Sequence, residues 1–224
     1  MALAYLGMAA RTNVYIDGFN LYYGALRDTA FKWLDVKKLS LTLLPGIRLN
    51  RIRYFTARVK QSPHDLHAPL RQDIYLRALR TIPRLSIHEG RFVRWGVLMP
   101  QYPLAYPKGI VERPQCVQVQ KTEEKGSDVN LATYLLIDCF AGDFDEAVVI
   151  SNDADLALPI ERVVRDSKKP ITVINPHSSN KISGNLIRVA SFHKRTINRS
   201  VLAACQFSPT LQDSHGTFSK PASW

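Results

Sequence analysis

The chain has 224 residues, 46% hydrophobic and 22% charged, with a formal net charge of +11 and a pI near 9.7. This is the make-up of a globular protein with one sizeable core, and no apolar run reaches the ~20 residues of a membrane-spanning helix. The positive excess favours a polyanionic partner, and three scattered cysteines (Cys116, Cys139, Cys205) without metal or redox spacing read as reduced thiols in a cytoplasmic protein.

Met1 to Ala10 is mildly apolar, lacks a charged leader and reads as part of an N-terminal extension over residues 1–12. Asn13-Val-Tyr-Ile16 reads as a buried strand ending at Asp17-Gly-Phe-Asn20, followed by helical pieces over Leu21–Phe31 and Val36–Leu44. Arg51–Ala57 alternates and is rich in strand formers. A long helix is expected from about His64 to Arg80, with Leu66, Leu70, Ile74 and Ala78 on its apolar face. Leu85–Val93 reads as a third strand, and the proline-rich stretch near residues 96–115 as a loop or small hairpin.

Cys116–Lys121 alternates again. A deeply buried helix is expected from Ser127 or Asp128 to Phe140, with Val129, Ala132, Leu136 and Phe140 on one face and Leu131, Leu135 and Cys139 widening it. Ala147–Ile150 is a short continuous apolar run, the mark of a strand buried on both faces. Asp155 is placed to cap a helix reaching Asp166, and Pro170–Ile174 is another buried strand. A short helix near Ser183, an edge strand over Arg188–Phe192 and a helix over Thr196–Cys205 follow. Phe207–Trp224 is polar and reads as a mobile tail. Strands alternate with helices, so the expected fold is three-layer α/β with a mainly parallel sheet over residues 13–193 and a C-terminal helix and tail over 194–224.

Charge is unevenly spread. Arg48 to Arg94 holds eleven Lys/Arg against three Asp/Glu, whereas Lys121 to Asp166 holds four against eleven. Ligands of open parallel sheets sit outside the carboxyl ends of the strands. Asp17 and the pair Asp153 and Asp155 stand at such ends, and Asp128 starts the buried helix. A helix leading into a strand is expected to start at the far edge, so the Lys125-Gly126-Ser127 loop would have to carry Asp128 round. Three or four converging carboxylates repel by several kcal/mol unless cations sit among them, and oxygen ligands suit Mg²⁺ or Mn²⁺.

Three blocks carry a resemblance: Val14-Tyr-Ile-Asp17-Gly-Phe-Asn20, Lys125-Gly-Ser-Asp128-Val-Asn-Leu-Ala132 and Val149-Ile-Ser151-Asn152-Asp153-Ala-Asp155-Leu156. Their order and separations resemble the NYN-domain proteins, PIN-like nucleases, in the bacterial branch once treated as a domain of unknown function. The resemblance implies a Rossmann-like, PIN-like α/β/α core and an acidic pocket that binds Mg²⁺ or Mn²⁺ through Asp17, Asp128, Asp153 and Asp155 and cleaves RNA, with Asn20 and Ser151 lining it. One departure is Asn152, where the family often has glycine; a larger side chain there narrows the pocket or adds a phosphate contact, and a non-catalytic RNA-binding module is the alternative. Lys125, Ser178 and Lys181 are further candidates for phosphate contact, each also readable as an ordinary loop residue. RNA is the expected partner, with no membrane and a homodimer allowed. Phe19 stands where a haloacid-dehalogenase-like phosphatase needs a second aspartate, and Asp17 where a Toprim domain expects glutamate. Arg91-Phe-Val-Arg-Trp95 pairs guanidinium groups with aromatics, as single-strand binders do.

Overall fold

The computed structural model describes residues 10–63, 65–107 and 113–224, apart from the side chain of Ser179. Strand β1 (Arg11–Asp17) is central. Val14 and Ile16 enter the core on one face of the sheet and Tyr15 the core on the other, all fully buried. β2 (Arg48–Ala57) and β5 (Glu146–Ile150) flank it in parallel. β3 (Leu85–Pro100) continues the sheet beyond β2, and β6 (Ile171–Ile174) and β7 (Phe192–Lys194) continue it beyond β5, all parallel. β4 (Cys116–Lys125) is antiparallel on β3, which gives the order β4-β3-β2-β1-β5-β6-β7 among the described residues. The fold is therefore α/β with a mainly parallel sheet, as the alternation of elements predicts.

One core packs the sheet against α1 (Gly18–Leu21), α2 (Val36–Leu43), α3 (Ala68–Arg80) and α7 (Arg199–Ala204). The other packs it against α4 (Ser127–Phe140), α5 (Ala157–Asp166) and α6 (Gly184–Val189). The chain leaves β1 for β2 on one side and returns to β5 on the other. Their carboxyl ends form the crevice where such sheets bind ligands.

Several elements differ from the sequence reading. After α1 the chain makes a π-helical turn, Tyr22–Leu26, in place of a longer helix. α3 begins at Ala68, and His64 lies outside the described residues, as do residues 1–9 of the N-terminal extension. Its core face is Tyr75, Leu76, Ala78 and Leu79, while Leu66 and Leu70 are each 59% exposed. α4 likewise turns Leu131, Leu135, Asp138 and Cys139 inward and leaves Val129 69% and Phe140 75% exposed, so it is a half-buried helix. Arg188 belongs to α6, and the edge strand starts at Phe192. Asp153, not Asp155, caps the turn that leads into α5.

Two longer segments are more ordered than expected. β3 runs on to Pro100, and from Arg91 onward it pairs only with β4, so the two strands leave the sheet as a two-stranded arm. Residues 108–112 of the proline-rich stretch lie outside the described residues. The expected mobile tail is a hairpin, β8 (Thr210–Asp213) and β9 (Gly216–Ser219). Phe207, Phe218 and Trp224 pack their rings around the buried Trp33, and Arg77 grips Asp213 with two bonds of 2.7 Å. No helix among the described residues is long and apolar enough to cross a membrane.

A buried ion pair braces α4 against the sheet. Arg53 donates from Nε and a terminal nitrogen to the two oxygens of Asp138 at 2.6 and 2.7 Å, and the Tyr15 hydroxyl donates to the same carboxylate at 2.7 Å. His88, pushed down to about 4 chiefly by burial, is neutral and stands 3.1 Å from the guanidinium. A two-pronged pair of this kind fixes geometry, and removing one partner strands a buried charge. Arg53→Met is expected to cost about 3–5 kcal/mol in urea unfolding, and adding Asp138→Asn to recover part of it.

Candidate active site

Asp17 ends β1 and is almost fully buried. One oxygen accepts from the Asn20 backbone N–H at 2.9 Å and the other from the Ser151 hydroxyl at 3.0 Å. Burial pushes its carboxyl up, and these bonds pull it back. The next residue is glycine of necessity. A Cβ on Gly18 would stand 2.7 Å from the Phe55 carbonyl and 2.8 Å from the Tyr54 ring.

Ser151 and Asp153 follow β5 beside it. The Ser151 oxygen, fully buried, also accepts from the Asp153 backbone N–H at 3.1 Å, so it locks the two strand ends together. Asp153 accepts from the Asp155 N–H at 3.0 Å. Asn20 takes its place through its side-chain oxygen, which accepts from the Asn152 N–H at 3.1 Å and lies 3.0 Å from His177 Nε2.

Asp128 reaches the same crevice by a simple route. β4 returns antiparallel and stops level with Arg91, so α4 starts at the carboxyl edge of the sheet and runs down to feed β5 from the opposite edge. The expected detour round the layer is not needed, because any helix that precedes a parallel strand starts at this edge. The turn fits only because Gly90 has no side chain: a Cβ there would lie 2.2 Å from Glu124 Oε1 and 2.7 Å from the Lys125 carbonyl. Ser127 donates its backbone N–H and hydroxyl to Glu124 at 3.1 and 2.7 Å.

The result is a cleft of about 250 Å³ lined by Asp17, Phe19, Asn20, Tyr23, Phe92, Glu124, Ser127, Asp128 and Asp153. Asp128 is pushed up to about 7, first by burial and then by Asp17, Asp153, Glu124 and Asp155. It titrates there because nothing positive shares the cleft. The donors are all oxygen, the ligand type that hard divalent cations take. Among the described residues no three Asp, Glu, His or Cys side chains already stand close enough to grip an ion together. The set therefore fits a divalent cation by donor chemistry and charge, and the carboxylates would close in on binding.

Of the residues singled out from the sequence, Asp17, Asn20, Asp128 and Asp153 meet in the cleft, with Ser151 behind them. Asp155 is exposed at its rim and acts on Asp128 by charge. Asn152 neither narrows the cleft nor faces a phosphate. Its side chain donates to the Lys181 carbonyl and accepts from the Ser183 N–H, bracing that loop. Lys125 pairs with Glu123 at 2.6 Å on the opposite face of β4 from Glu124, outside the cleft lining. Ser178 donates to Asn180 at 2.6 Å, and it and Lys181 stay outside the lining too. Sequence reasoning missed Glu124, Phe19, Tyr23 and His177 as members of the site, and it raised Phe92 only within the Arg91–Trp95 run, apart from the carboxylates. Glu124 immediately precedes the Lys125–Ala132 block, and its place in the cleft comes from the pairing of β3 with β4.

Residues 11–198 match the NYN domain. The chain belongs to the NYN domain family. This NYN chain is 34% identical, over 96% of its own length and 75% of the relative's, to a Pseudomonas putida protein named 6-hydroxy-3-succinoylpyridine 3-monooxygenase HspA. Its fold is shared with a crystal structure of a protein of unknown function from Vibrio parahaemolyticus, at a TM-score of 0.54 and 16% identity over 85% of this NYN chain and 94% of that one.

Asp128 gives a pH test. Its pKa is raised on folding from 3.8 to about 7, so the unfolded chain ionises first, and stability falls as pH rises through that window. Asp128→Asn removes the penalty. In chelator at pH 8 the variant is expected to melt a few degrees above the parent, and at pH 4 the two should melt together; calorimetry at both pH values checks this.

Proposed function

We propose that this NYN protein is a metal-dependent ribonuclease that hydrolyses RNA phosphodiester bonds at the acidic cleft. The observation that carries the reading is the crowding of Asp17, Glu124, Asp128 and Asp153 at the strand ends with no cation among the lining residues; burial and then this crowding push Asp128 up to about 7. Asp17, Asp128 and Asp153 are the residues that would hold Mg²⁺ or Mn²⁺, with Glu124 beside them. A divalent ion in such a site polarises a phosphoryl oxygen and lowers the pKa of water.

The chain's own residues supply the rest. Asp17, gripped from both sides, is the fixed member. Asn20 has its side-chain oxygen committed to Asn152 and His177, which turns its NH₂ group toward the cleft as a donor. Six of the eleven basic side chains between Arg48 and Arg94 are spent on internal carboxylates. Arg94 is not: among the described residues it bonds the Gln61 carbonyl alone, at 3.0 Å, and it follows Phe92 by two residues on the same face of β3, where it can meet a phosphate leaving the cleft.

The relative's name offers a second reading, oxidation of a hydroxypyridine, and the aromatic wall of Phe19, Tyr23 and Phe92 favours it to the extent that a planar ring fits there. The carboxylates weigh against it. A pyrophosphate-bearing redox cofactor or an acid side arm would meet like charge, and Asp17-Gly-Phe-Asn20 stands where a dinucleotide fold has its glycine-rich phosphate loop. The non-catalytic alternative draws nothing from Asn152, whose side chain is committed to the loop after β6.

End-labelled RNA incubated with Mg²⁺ or Mn²⁺, and with chelator, tests the proposal. Cleavage should need the metal, and Asp153→Asn should lose more than the roughly 100-fold that a broken supporting bond costs a metal site. Oxygen uptake with 6-hydroxy-3-succinoylpyridine and a reductant, in the absence of RNA cleavage, would favour the second reading. Mn²⁺ should also bind more weakly at pH 6 than at pH 8, since Asp128 must give up its proton first; calorimetric titration at the two pH values reads this directly.

A further inference from the structure

The cleft has a second wall that cation binding does not require. Phe19 follows the first catalytic-edge strand, Tyr23 lies one helical turn on, and Phe92 comes from the base of the arm; all three line the cleft. Phe19 and Tyr23 lie nearly parallel, 23° between planes and 6.4 Å between centroids, and Phe92 meets Phe19 edge-on at 5.6 Å. The plain explanation, that the rings fill core, fails on placement. None of the three belongs to either hydrophobic core, and Tyr23 is 58% exposed. Phe19 and Phe92 are half-buried, and rings left partly open at a charged cleft are a poor use of apolar surface unless a flat ligand covers them.

Resting on the ribonuclease reading, we propose that Phe19, Tyr23 and Phe92 form a subsite that stacks one base of the nucleic acid beside the carboxylates. The floor of the cleft repels the phosphate next to it until a cation binds. A stacked base gives the strand a neutral anchor that does not depend on the cation, and it draws the neighbouring phosphodiester to the carboxylates. The arm extends the same surface. Across the β3–β4 pair, Phe92 faces Glu124, Arg94 faces Thr122, Gly96 faces Gln120 and Leu98 faces Gln118. Alternation puts these on one ribbon face, a polar strip with one guanidinium that starts at the aromatic wall. Arg91 and Trp95 fall on the other face, where Trp95 is 5.7 Å from the Lys121 ammonium, so of the Arg91–Trp95 run only Phe92 and Arg94 serve the cleft. A base must be free of its own stack to enter, which gives the subsite no purchase on an intact duplex.

The test is binding, read separately from cleavage. A hexaribonucleotide carrying 2-aminopurine is titrated against the full chain in chelator, and against Asp153→Asn in Mg²⁺. Stacking should quench the fluorophore. Tyr23→Ala and Phe92→Leu should each abolish the quench and weaken binding by the roughly 5- to 150-fold that one stacked base is worth, while Tyr23→Phe retains both. Abasic hexamer should bind the parent as weakly as the intact hexamer binds Tyr23→Ala, and a blunt duplex more weakly still. Circular dichroism confirms that the variants fold, as side chains outside both cores should allow. Equal binding of intact and abasic strands, a quench that survives Tyr23→Ala and Phe92→Leu, or no binding at all overturns the subsite. Metal-dependent cleavage without the quench leaves the ribonuclease standing and removes the subsite. Quench without cleavage under any metal keeps the subsite and removes the hydrolase.

Discussion

Like charges crowded into one crevice are the constraint around which this molecule is arranged. Asp17, Glu124, Asp128, Asp153 and Asp155 come from the end of β1, the end of β4, the start of α4 and the turn after β5, and burial first, then the fields of the other four, push Asp128 up to about 7. Three of them are kept in position by local donors. Asp17 has the Ser151 hydroxyl and a backbone N–H, Glu124 has Ser127 twice, and Asp153 caps the turn that follows it. These are short-range bonds made within a few residues of the strand ends, so the crevice is a property of the sheet edge and not of distant loops. Asp128 and Asp155 accept no such bond among the described residues, and Asp128, the more buried of the two, is pushed up to about 7.

The placement of Asp128 depends on two larger features. The arm brings the chain back to the carboxyl edge before α4 begins, and Gly90 leaves room for the turn. The Arg53–Asp138 fork then holds the far half of the helix against β2, with Tyr15 of β1 bonded to the same carboxylate. The first carboxylate in the helix is thus positioned by a second one three turns along, where burial and a cation make it purely structural. One helix carries one acid that faces the cleft and one for anchorage.

Much of this was legible in the sequence, and the rest was hidden for identifiable reasons. The strands Asn13–Ile16 and Ala147–Ile150 announce themselves because a doubly covered strand has no polar face, and their following aspartates then fall at the carboxyl edge by geometry. Glu124 and Phe92 belong to the cleft only through the pairing register of β3 with β4, which no local pattern encodes. Helix α4 misled because it is apolar nearly all round. In α4, Leu131 and Leu135 are core, but so is Asp138, whose partner Arg53 lies 85 residues away, and Phe140 is left outside. The last stretch reads as tail because Phe207, Phe218 and Trp224 stand singly among polar residues; they are needed one at a time, around a single indole.

That indole has a consequence for the order of events in synthesis. Trp33 is 1% exposed, and its cover comes from rings that leave the ribosome roughly 175 to 190 residues after it. The half-sheet containing β1, β2 and β3 can pair early, yet one flank of its core stays wet until the C-terminal hairpin arrives. The nascent chain therefore carries an exposed aromatic site through most of its translation, which is the kind of surface that chaperones recognise, and the final hairpin acts as the clasp that ends that exposure.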